Sequence, residues 1–338
     1  MSEPSQPLVT VAITSYERAD LFRLCLESVC AQTHRELEIF VHDNSISDAI
    51  HDIVADIGDP RIVYERNSPN LSDVIILNHQ KAFTPRNGKY HIVLSSDWTL
   101  VPEAIGAMVA KLEAEPRACA ARAGHVQRDL GSGRDKPVAG KFENVKGARG
   151  DGELYDCRAL IEAAFFTLTG VGIIYHTLLP SDLLRYTNLS KVYLHAGYEH
   201  QAGLELLMLK PWLAVLKAPL FVELIHPDRY QSGGYRAYEK FGEWVARARF
   251  FENSYPELLA RDFNPFKLRA GLALGFLRCM FRHDERPAEA AAYVARYGSQ
   301  ILFSALLWPV YRPIAFVRWH LKQAGKRIKR RRRDRAGR

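Results

Sequence analysis

The stretch that decides the fold class is VTVAITSYERADLFRLCLESVCAQT, residues 9–33 of this 338-residue chain. Its opening, together with Leu8, is β-branched and apolar, which predicts a buried strand that closes at Ser15 and Tyr16. Apolar residues then recur at helical spacing, Leu21, Leu24 and Val29 among them. The sequence therefore predicts a strand followed directly by a helix, which is the order found in α/β folds.

The same alternation continues along the chain. Residues 37–42, 61–66 and 90–94 read as strands, and residues 48–57 and 72–83 read as helices. Strands that alternate with short helices predict right-handed crossovers and a mostly parallel sheet. Because such sheets bind ligands beyond the carboxyl ends of their strands, residues 14–18, 43–45 and 95–98 are expected to form the site.

Three segments carry a resemblance to a known family: residues 9–33, LEIFVHDNSISD at 37–48 and GKYHIVLSSDWTLVPEAI at 88–105. They are similar to the opening of family 2 glycosyltransferases with a GT-A fold. RNSPNL at 66–71 resembles a segment of the abequosyltransferase-like branch. The resemblance is good over about residues 8–110 and loose over 160–235, which implies a catalytic domain at residues 1–235 with a Rossmann-like, mostly parallel sheet flanked by helices.

The resemblance implies that the first two strand-end loops hold the nucleotide of a nucleotide-sugar donor. An aromatic ring can stack on a base, a carboxylate can accept a hydrogen bond from it, and arginine can pair with phosphate. The residues at the corresponding positions are Thr14, Ser15, Tyr16, Arg18 and Asp43. The resemblance also places Asn70 and Asn78 near the nucleotide, and Asp97 near its diphosphate.

The family's acidic run, which binds a divalent cation, corresponds to LSSDWTLVP at residues 94–102. Asp97 is the one acid there, and Ser96 and Trp98 stand where acids are expected. Mn²⁺ or Mg²⁺ needs several oxygen ligands, so a cation would depend on diphosphate and water as well. His226, in the segment ELIHPDRYQSGG, is a second candidate ligand, and Arg229 is a candidate to neutralise the leaving group.

Transfer with inversion needs a carboxylate that removes the proton of the acceptor hydroxyl. The family's acidic pair at a helix start corresponds to Glu199 and His200, in HAGYEHQAGLELLMLKPW. Glu199 is the predicted base, and His200 is the alternative because an imidazole titrates near neutral pH. The resemblance thus implies a hexosyl- or deoxyhexosyl-type transferase that acts on a saccharide or lipid-linked acceptor in bacterial-type surface polysaccharide or glycoconjugate synthesis.

Two alternatives stay open from the sequence. Ser96 and Trp98 also fit a catalytically degenerate protein that binds a nucleotide sugar without turning it over. The basic C-terminal tail also fits a nucleic-acid-binding protein, since arginines neutralise phosphates. A dehydrogenase and a serine hydrolase are excluded, because the chain has neither GxGxxG after the first strand nor a GxSxG elbow.

The C-terminal third has a different composition. Residues 236–321 show amphipathic helical patterns, and residues 322–338 contain ten Lys or Arg against one Asp. Large apolar and aromatic residues before this basic tail favour peripheral binding to an anionic membrane surface. We expect a cytoplasmic enzyme with a helical extension at 236–321, a disordered tail at 322–338, and a mobile loop at residues 128–152.

Overall fold

The computed structural model describes residues 6–68, 78, 81–138, 153–161, 176–184 and 205–226. The chain divides into two compact units, one of residues 1–164 and 169–234 and one of residues 165–168 and 235–338. All described residues lie in the first unit. The predicted helical extension and basic tail fall outside the described residues.

In the first half of the unit, the predicted strands and the helices that follow the first two of them are confirmed, whereas most of the predicted helix at 72–83 lies outside the described residues. Strands β1 (Val9–Ser15), β2 (Leu37–Asp43) and β3 (Ile62–Arg66) pair in parallel, with β1 between β2 and β4 (Tyr90–Ser95). Helices α1 (Ala19–Cys30) and α2 (Ala49–Ile57) are the crossovers. Every residue of β1 is buried, which explains its continuous apolar and β-branched sequence.

The second half widens this sheet. Its elements are β5 (Trp98–Leu100), α3 (Ala104–Ala114), β6 (Ala118–Asp129), β7 (Asp135–Val138), β8 (Leu154–Asp156), β9 (Thr177–Pro180), α4 (Ser181–Leu184) and β10 (Trp212–Ile225). The order of strands in the sheet is β3-β2-β1-β4-β9-β6-β10-β5, with β7 paired to β6 and β8 paired to β10.

The directions of the strands determine which edge of the sheet carries their carboxyl ends, where ligands of such sheets bind. Strand β9 is antiparallel to both β4 and β6, so β6 runs in the same direction as β4, and β10 is parallel to β6. The carboxyl ends of β1, β2, β3, β4, β6 and β10 therefore share one edge. Short β5 is antiparallel to β10 and begins at that edge with Trp98.

The core lies between the sheet and the helices. Helix α1 buries its apolar face, which consists of Leu21, Phe22, Cys25, Leu26 and Val29. Strands β1, β2 and β4 supply the facing branched residues, and α3 adds Ile105 and Met108. Burial of such side chains, worth ~1.5–3 kcal/mol each, fixes the sheet from which the loops at its carboxyl edge extend.

Gly88 marks a close approach of two chains at the opposite edge. A Cβ at this position would lie 2.5 Å from the Thr10 amide nitrogen and 2.6 Å from the Tyr90 carbonyl oxygen. The amide of Gly88 donates to the Thr10 hydroxyl at 3.1 Å and to the Glu38 carboxylate at 3.0 Å. These contacts connect the start of β4 to β1 and β2, and leave no room for a side chain.

Part of the predicted mobile loop is ordered strand, so that prediction is wrong for residues 128–138. Strand β6 extends to Asp129 and pairs with β7 in a hairpin. The turn contains Gly133 in a left-handed conformation, and an Arg128–Asp135 ion pair at 2.8 Å joins the strands. Because this hairpin is mostly exposed to solvent, its sequence is polar and lacks the apolar pattern by which a buried strand is predicted. Residues 139–152 lie outside the described residues.

Candidate functional site

The ends of the parallel strands bring the predicted loops together. Ser15 is the register partner of Asp43, and Thr14 is the register partner of Ser95. Past the strands, the amide of Asn44 donates to the Ser15 carbonyl at 3.0 Å and the amide of Ser96 donates to the Thr14 carbonyl at 3.3 Å. The three predicted loop segments therefore lie side by side at one sheet edge.

Asp43 is the centre of the site at the end of β2. Its Oδ2 accepts a hydrogen bond from the Tyr64 hydroxyl at 2.7 Å, and its Oδ1 accepts from the Ser45 amide at 2.8 Å and from the Ser15 hydroxyl at 3.4 Å. The residue is completely buried. Burial, together with the bond to Asp43, raises the pKa of Tyr64, so its hydroxyl stays a donor at neutral pH.

The loop after β1 presents Tyr16 to solvent. Its side chain is 47% exposed, in contrast to the buried Thr14 and Ser15 before it. The next two residues, Glu17 and Arg18, have φ angles of 52° and 59°. Neither is glycine, so the left-handed backbone costs ~1–3 kcal/mol per residue and must be held by its surroundings.

Glu17 is held to the loop after β2. Its backbone amide donates to the Ser45 hydroxyl at 2.7 Å. Its carboxylate accepts from the Ile46 amide at 2.8 Å and from the Ser47 hydroxyl and amide at 2.5 and 3.2 Å. The hydrogen bond from the Ser47 side chain is the main reason that the pKa of Glu17 is lowered, so the loop contacts favour its ionised form.

Arg66, the last residue of β3, binds the same loop from the other side. Its guanidinium donates to the carbonyl oxygens of Ser45 at 3.3 Å, Ile46 at 2.6 Å and Ser47 at 2.8 Å. It also pairs with the Asp48 carboxylate. The loop is thereby bonded to Glu17 through the amides of residues 46 and 47 and to Arg66 through the carbonyls of residues 45–47.

A buried amide network lies beside Asp43. The Asn67 side-chain amide donates to Asn44 Oδ1 at 3.1 Å and to Asn78 Oδ1 at 2.8 Å, and Lys81 donates to Asn67 Oδ1. The amide of Asn67 also donates to the Asp43 carbonyl at 2.9 Å. Asn78, predicted to lie near the nucleotide, is thus buried and holds the chain behind Asp43.

The backbone of Asp97 is bonded to the end of β10, two residues before His226. Asp97 is buried in the turn between β4 and β5, and its carbonyl accepts from the Leu224 amide at 2.8 Å. His226 follows Leu224 by two residues. A carboxylate and an imidazole are both cation ligands, and two such groups would need diphosphate and water to complete the shell of a divalent cation. Within the described residues, no group of three or more His, Cys, Asp or Glu side chains could hold a metal ion.

Trp98, where the family has an acid, is enclosed by other rings. Its indole is 7% exposed, stacks on His176 with ring centres 3.7 Å apart, and lies 4.9 Å from the His125 ring. His176 has a φ of 57° and its Nε2 accepts from the Ser95 amide at 3.4 Å. The indole therefore packs the turn that carries Asp97 against β6 and β9.

A polar cluster continues from Trp98 onto β6 and β10. Buried Glu223, the register partner of Trp98, accepts from Gln127 Nε2 at 2.7 Å and lies 3.5 Å from His125 Nε2. Burial lowers the pKa of Arg122 to about 10, and the charge of Glu223 opposes that effect. Sequence inspection missed this cluster because its members come from separate strands.

Several predicted residues cannot be placed. Asn70, Glu199, His200 and Arg229 lie outside the described residues, and their roles stay predictions. Glu17, Tyr64 and Arg66 are additions that sequence reasoning missed. Glu17 lies in SYER at 15–18 and Arg66 in RNSPNL at 66–71, two motifs that carried the family resemblance. Their position in these motifs was the sequence signal that could have identified them.

Comparison with known proteins gives a family match, two structural matches and one negative result. Residues 10–166 match the family model described as glycosyl transferase family 2. A structure of S. aureus TarS 1–349 in complex with UDP-GlcNAc matches with a TM-score of 0.60 at 13% identity, covering 87% of this chain and 80% of that one. A structure of S. aureus TarS matches with a TM-score of 0.59 at 14% identity, covering 87% of this chain and 49% of that one. A search of curated proteins finds no match.

These matches establish the fold of the described unit. The mixed α/β unit, with its central sheet of mostly parallel strands, has the GT-A fold of glycosyltransferases. The family-model match over residues 10–166, together with this fold, supports a glycosyltransferase. The matches do not confirm the predicted membership of the abequosyltransferase-like branch. Among the described residues, no helix is both long and apolar enough to cross a membrane.

Proposed function

We propose that this chain transfers a sugar from a nucleoside-diphosphate donor to a hydroxyl group of a saccharide or lipid-linked acceptor. The observation that carries the proposal is the row of adjacent strand ends, with Tyr16 after β1, Asp43 at the end of β2 and Asp97 after β4. The family-model match and the GT-A fold support the same conclusion.

The order of these residues suggests how the donor lies along the edge. An exposed aromatic ring suits stacking on a base, so we assign the base to Tyr16 and the adjacent Asp43. The diphosphate then extends toward Asp97, and the sugar toward the ends of β6 and β10. Since TarS was crystallised with UDP-GlcNAc, uridine nucleotides are the first donors to test.

A divalent cation, Mn²⁺ or Mg²⁺, is the proposed cofactor, with Asp97 and His226 as the residues that would hold it. When bound, such an ion neutralises charge on the diphosphate. Trp98 supplies no ligand atom for a hard cation. Its buried indole keeps the Asp97 turn in place by stacking on His176.

The chemical step is assigned to residues predicted from the sequence. Glu199 is proposed as the base that removes the acceptor proton, with His200 as the alternative, and the transfer is proposed to invert the anomeric centre. The acceptor pathway is proposed to be bacterial-type surface polysaccharide or glycoconjugate synthesis. The basic tail at 322–338 would bring the enzyme to an anionic membrane surface, where lipid-linked acceptors are found.

A second candidate is a protein that binds nucleotide sugars without transfer. It is favoured by Trp98, which is buried where the family places an acid. Both candidates predict donor binding, and they differ in turnover.

A thermal-shift screen of UDP, GDP, TDP and CDP sugars, with and without Mn²⁺, tests the proposal. We expect at least one donor to raise Tm, because a ligand that binds only the folded state stabilises it by about 2.7 kcal/mol at a hundred times its Kd. Tyr16→Ala should lose the shift, since it removes the proposed stacking surface. No increase in Tm with any donor would contradict both candidates.

A further inference from the structure

The backbone that follows Tyr16 is strained, and specific side chains stabilise it in this conformation. Glu17 and Arg18 both adopt left-handed φ angles, and Tyr16 immediately before them is the exposed aromatic residue of the site. A left-handed backbone in non-glycine residues persists only where neighbouring groups fix it, and it concentrates at ligand-binding loops. The groups that fix it here are therefore of functional interest.

The first is the carboxylate of Glu17. It accepts three hydrogen bonds from Ile46 and Ser47, while the Glu17 amide donates to Ser45. Hydrogen bonds to a charged acceptor are stronger than those between neutral groups, so these contacts can hold the left-handed backbone. Because the bonded amides belong to residues 46 and 47, the loop after β1 and the loop after β2 hold each other in place.

The second is the guanidinium of Arg66. It donates to the three successive carbonyl oxygens of residues 45–47. It therefore fixes the same backbone segment whose amides, at residues 46 and 47, donate to the Glu17 carboxylate. Both side chains are partly exposed and lie outside the apolar core. Their contacts join loops to one another, and the sheet itself does not depend on them.

We propose that Glu17 and Arg66 are positioning residues that hold residues 15–18 and 44–48 in the conformation that binds the nucleotide. This inference rests on the proposed function. Neither residue needs to touch the donor: Glu17 sets the backbone that presents the Tyr16 ring, and Arg66 sets the segment that follows Asp43. Loss of either would widen the range of loop conformations, and the nucleotide would have to select the competent ones.

Calorimetric titration with UDP, GDP, TDP and CDP tests the inference. The variants are Glu17→Gln, which keeps the shape and removes the charge, and Arg66→Lys, which keeps the charge and removes the planar fork. We expect each to raise the Kd of whichever nucleotide binds by about 10-fold, the effect of losing ~1.4 kcal/mol of ordering. The double variant should show less than the product of the two effects, because both side chains act on the same segment.

Steady-state kinetics separates positioning from a general structural role. We expect a raised donor KM with kcat within twofold of wild type, and a Tm close to wild type. Asp56→Asn is the matched control, because Asp56 is an exposed carboxylate paired with Arg23 at 2.8 Å away from these loops. It should leave nucleotide affinity unchanged.

The outcomes distinguish the two claims. Wild-type binding together with unchanged affinity in Glu17→Gln and Arg66→Lys would overturn the positioning role alone. A loss of kcat with unchanged KM would also overturn it. Wild-type protein that binds none of the four nucleotides would overturn the proposed function, and with it this inference.

Discussion

At the residue scale, Asp43 is a completely buried carboxylate held by three donors. It accepts hydrogen bonds from Tyr64, Ser45 and Ser15, which occupy most of the roughly four lone-pair positions of a carboxylate. These contacts fix the carboxylate in one orientation, so the strand end that is proposed to meet the base is preorganised.

Two buried histidines give a residue-scale prediction for stability. The pKa values of His42 and His91 are both lowered to about 4, mainly because burial disfavours the charged ring. In the unfolded chain each ring titrates near its ordinary value of 6.5. The unfolded state therefore binds more protons between these values, and the stability that is present above pH 6.5 is lost as the pH falls toward 4.

The expected loss is ~3 kcal/mol per histidine over that window. Urea unfolding between pH 7.5 and 4.5 measures it. His91→Gln retains a side-chain donor for the Ala82 carbonyl, which His91 contacts at 2.7 Å, and should have a shallower pH dependence than wild type. His51→Gln, at an exposed ring, is the control. Equal pH dependence in wild type and His91→Gln would contradict the prediction.

At the element scale, the approach of β4 to β1 depends on Gly88. We expect Gly88→Ala to lower the free energy of unfolding by about 1–3 kcal/mol, because its Cβ would meet backbone atoms of Thr10 and Tyr90 that cannot rotate away. Urea denaturation of the purified variant measures the loss.

Gly106→Ala is the matched control for that substitution. Gly106 lies inside α3, and a Cβ there would have its nearest contact with His34 at 3.9 Å. The change should be neutral or stabilising by up to about 1 kcal/mol, since alanine favours helices. Equal effects of the two substitutions would show that space around Gly88 does not limit the fold.

The elements also show what the sequence could predict. Strands β1, β2 and β4 are buried on both faces, so they read as apolar runs and were predicted to within one residue. Strand β7 was missed because DKPV is exposed and polar. Its turn carries the signal GSG at residues 131–133, but the strand is recognisable only beside β6.

At the scale of the whole molecule, the order of site residues was predictable and their contacts were not. Strand direction alone places Thr14, Asp43 and Asp97 at one edge. The bonds from Glu17 and Arg66 to residues 45–48 join three separate loops, and Trp98 meets His176 from a distant part of the chain. Such contacts depend on loop conformation, which local sequence patterns do not encode.

The most direct test of the central claim is release of nucleoside diphosphate from nucleotide sugars in the presence of saccharide and lipid-linked acceptors, which take up the sugar. It is measured with the 338-residue chain and compared with Glu199→Gln and His200→Ala. We predict release from at least one donor, and its loss in the variant that lacks the catalytic base. Binding of a donor without release would contradict transferase activity and favour the non-catalytic alternative. Release that continues unchanged in both variants would contradict the assignment of the base.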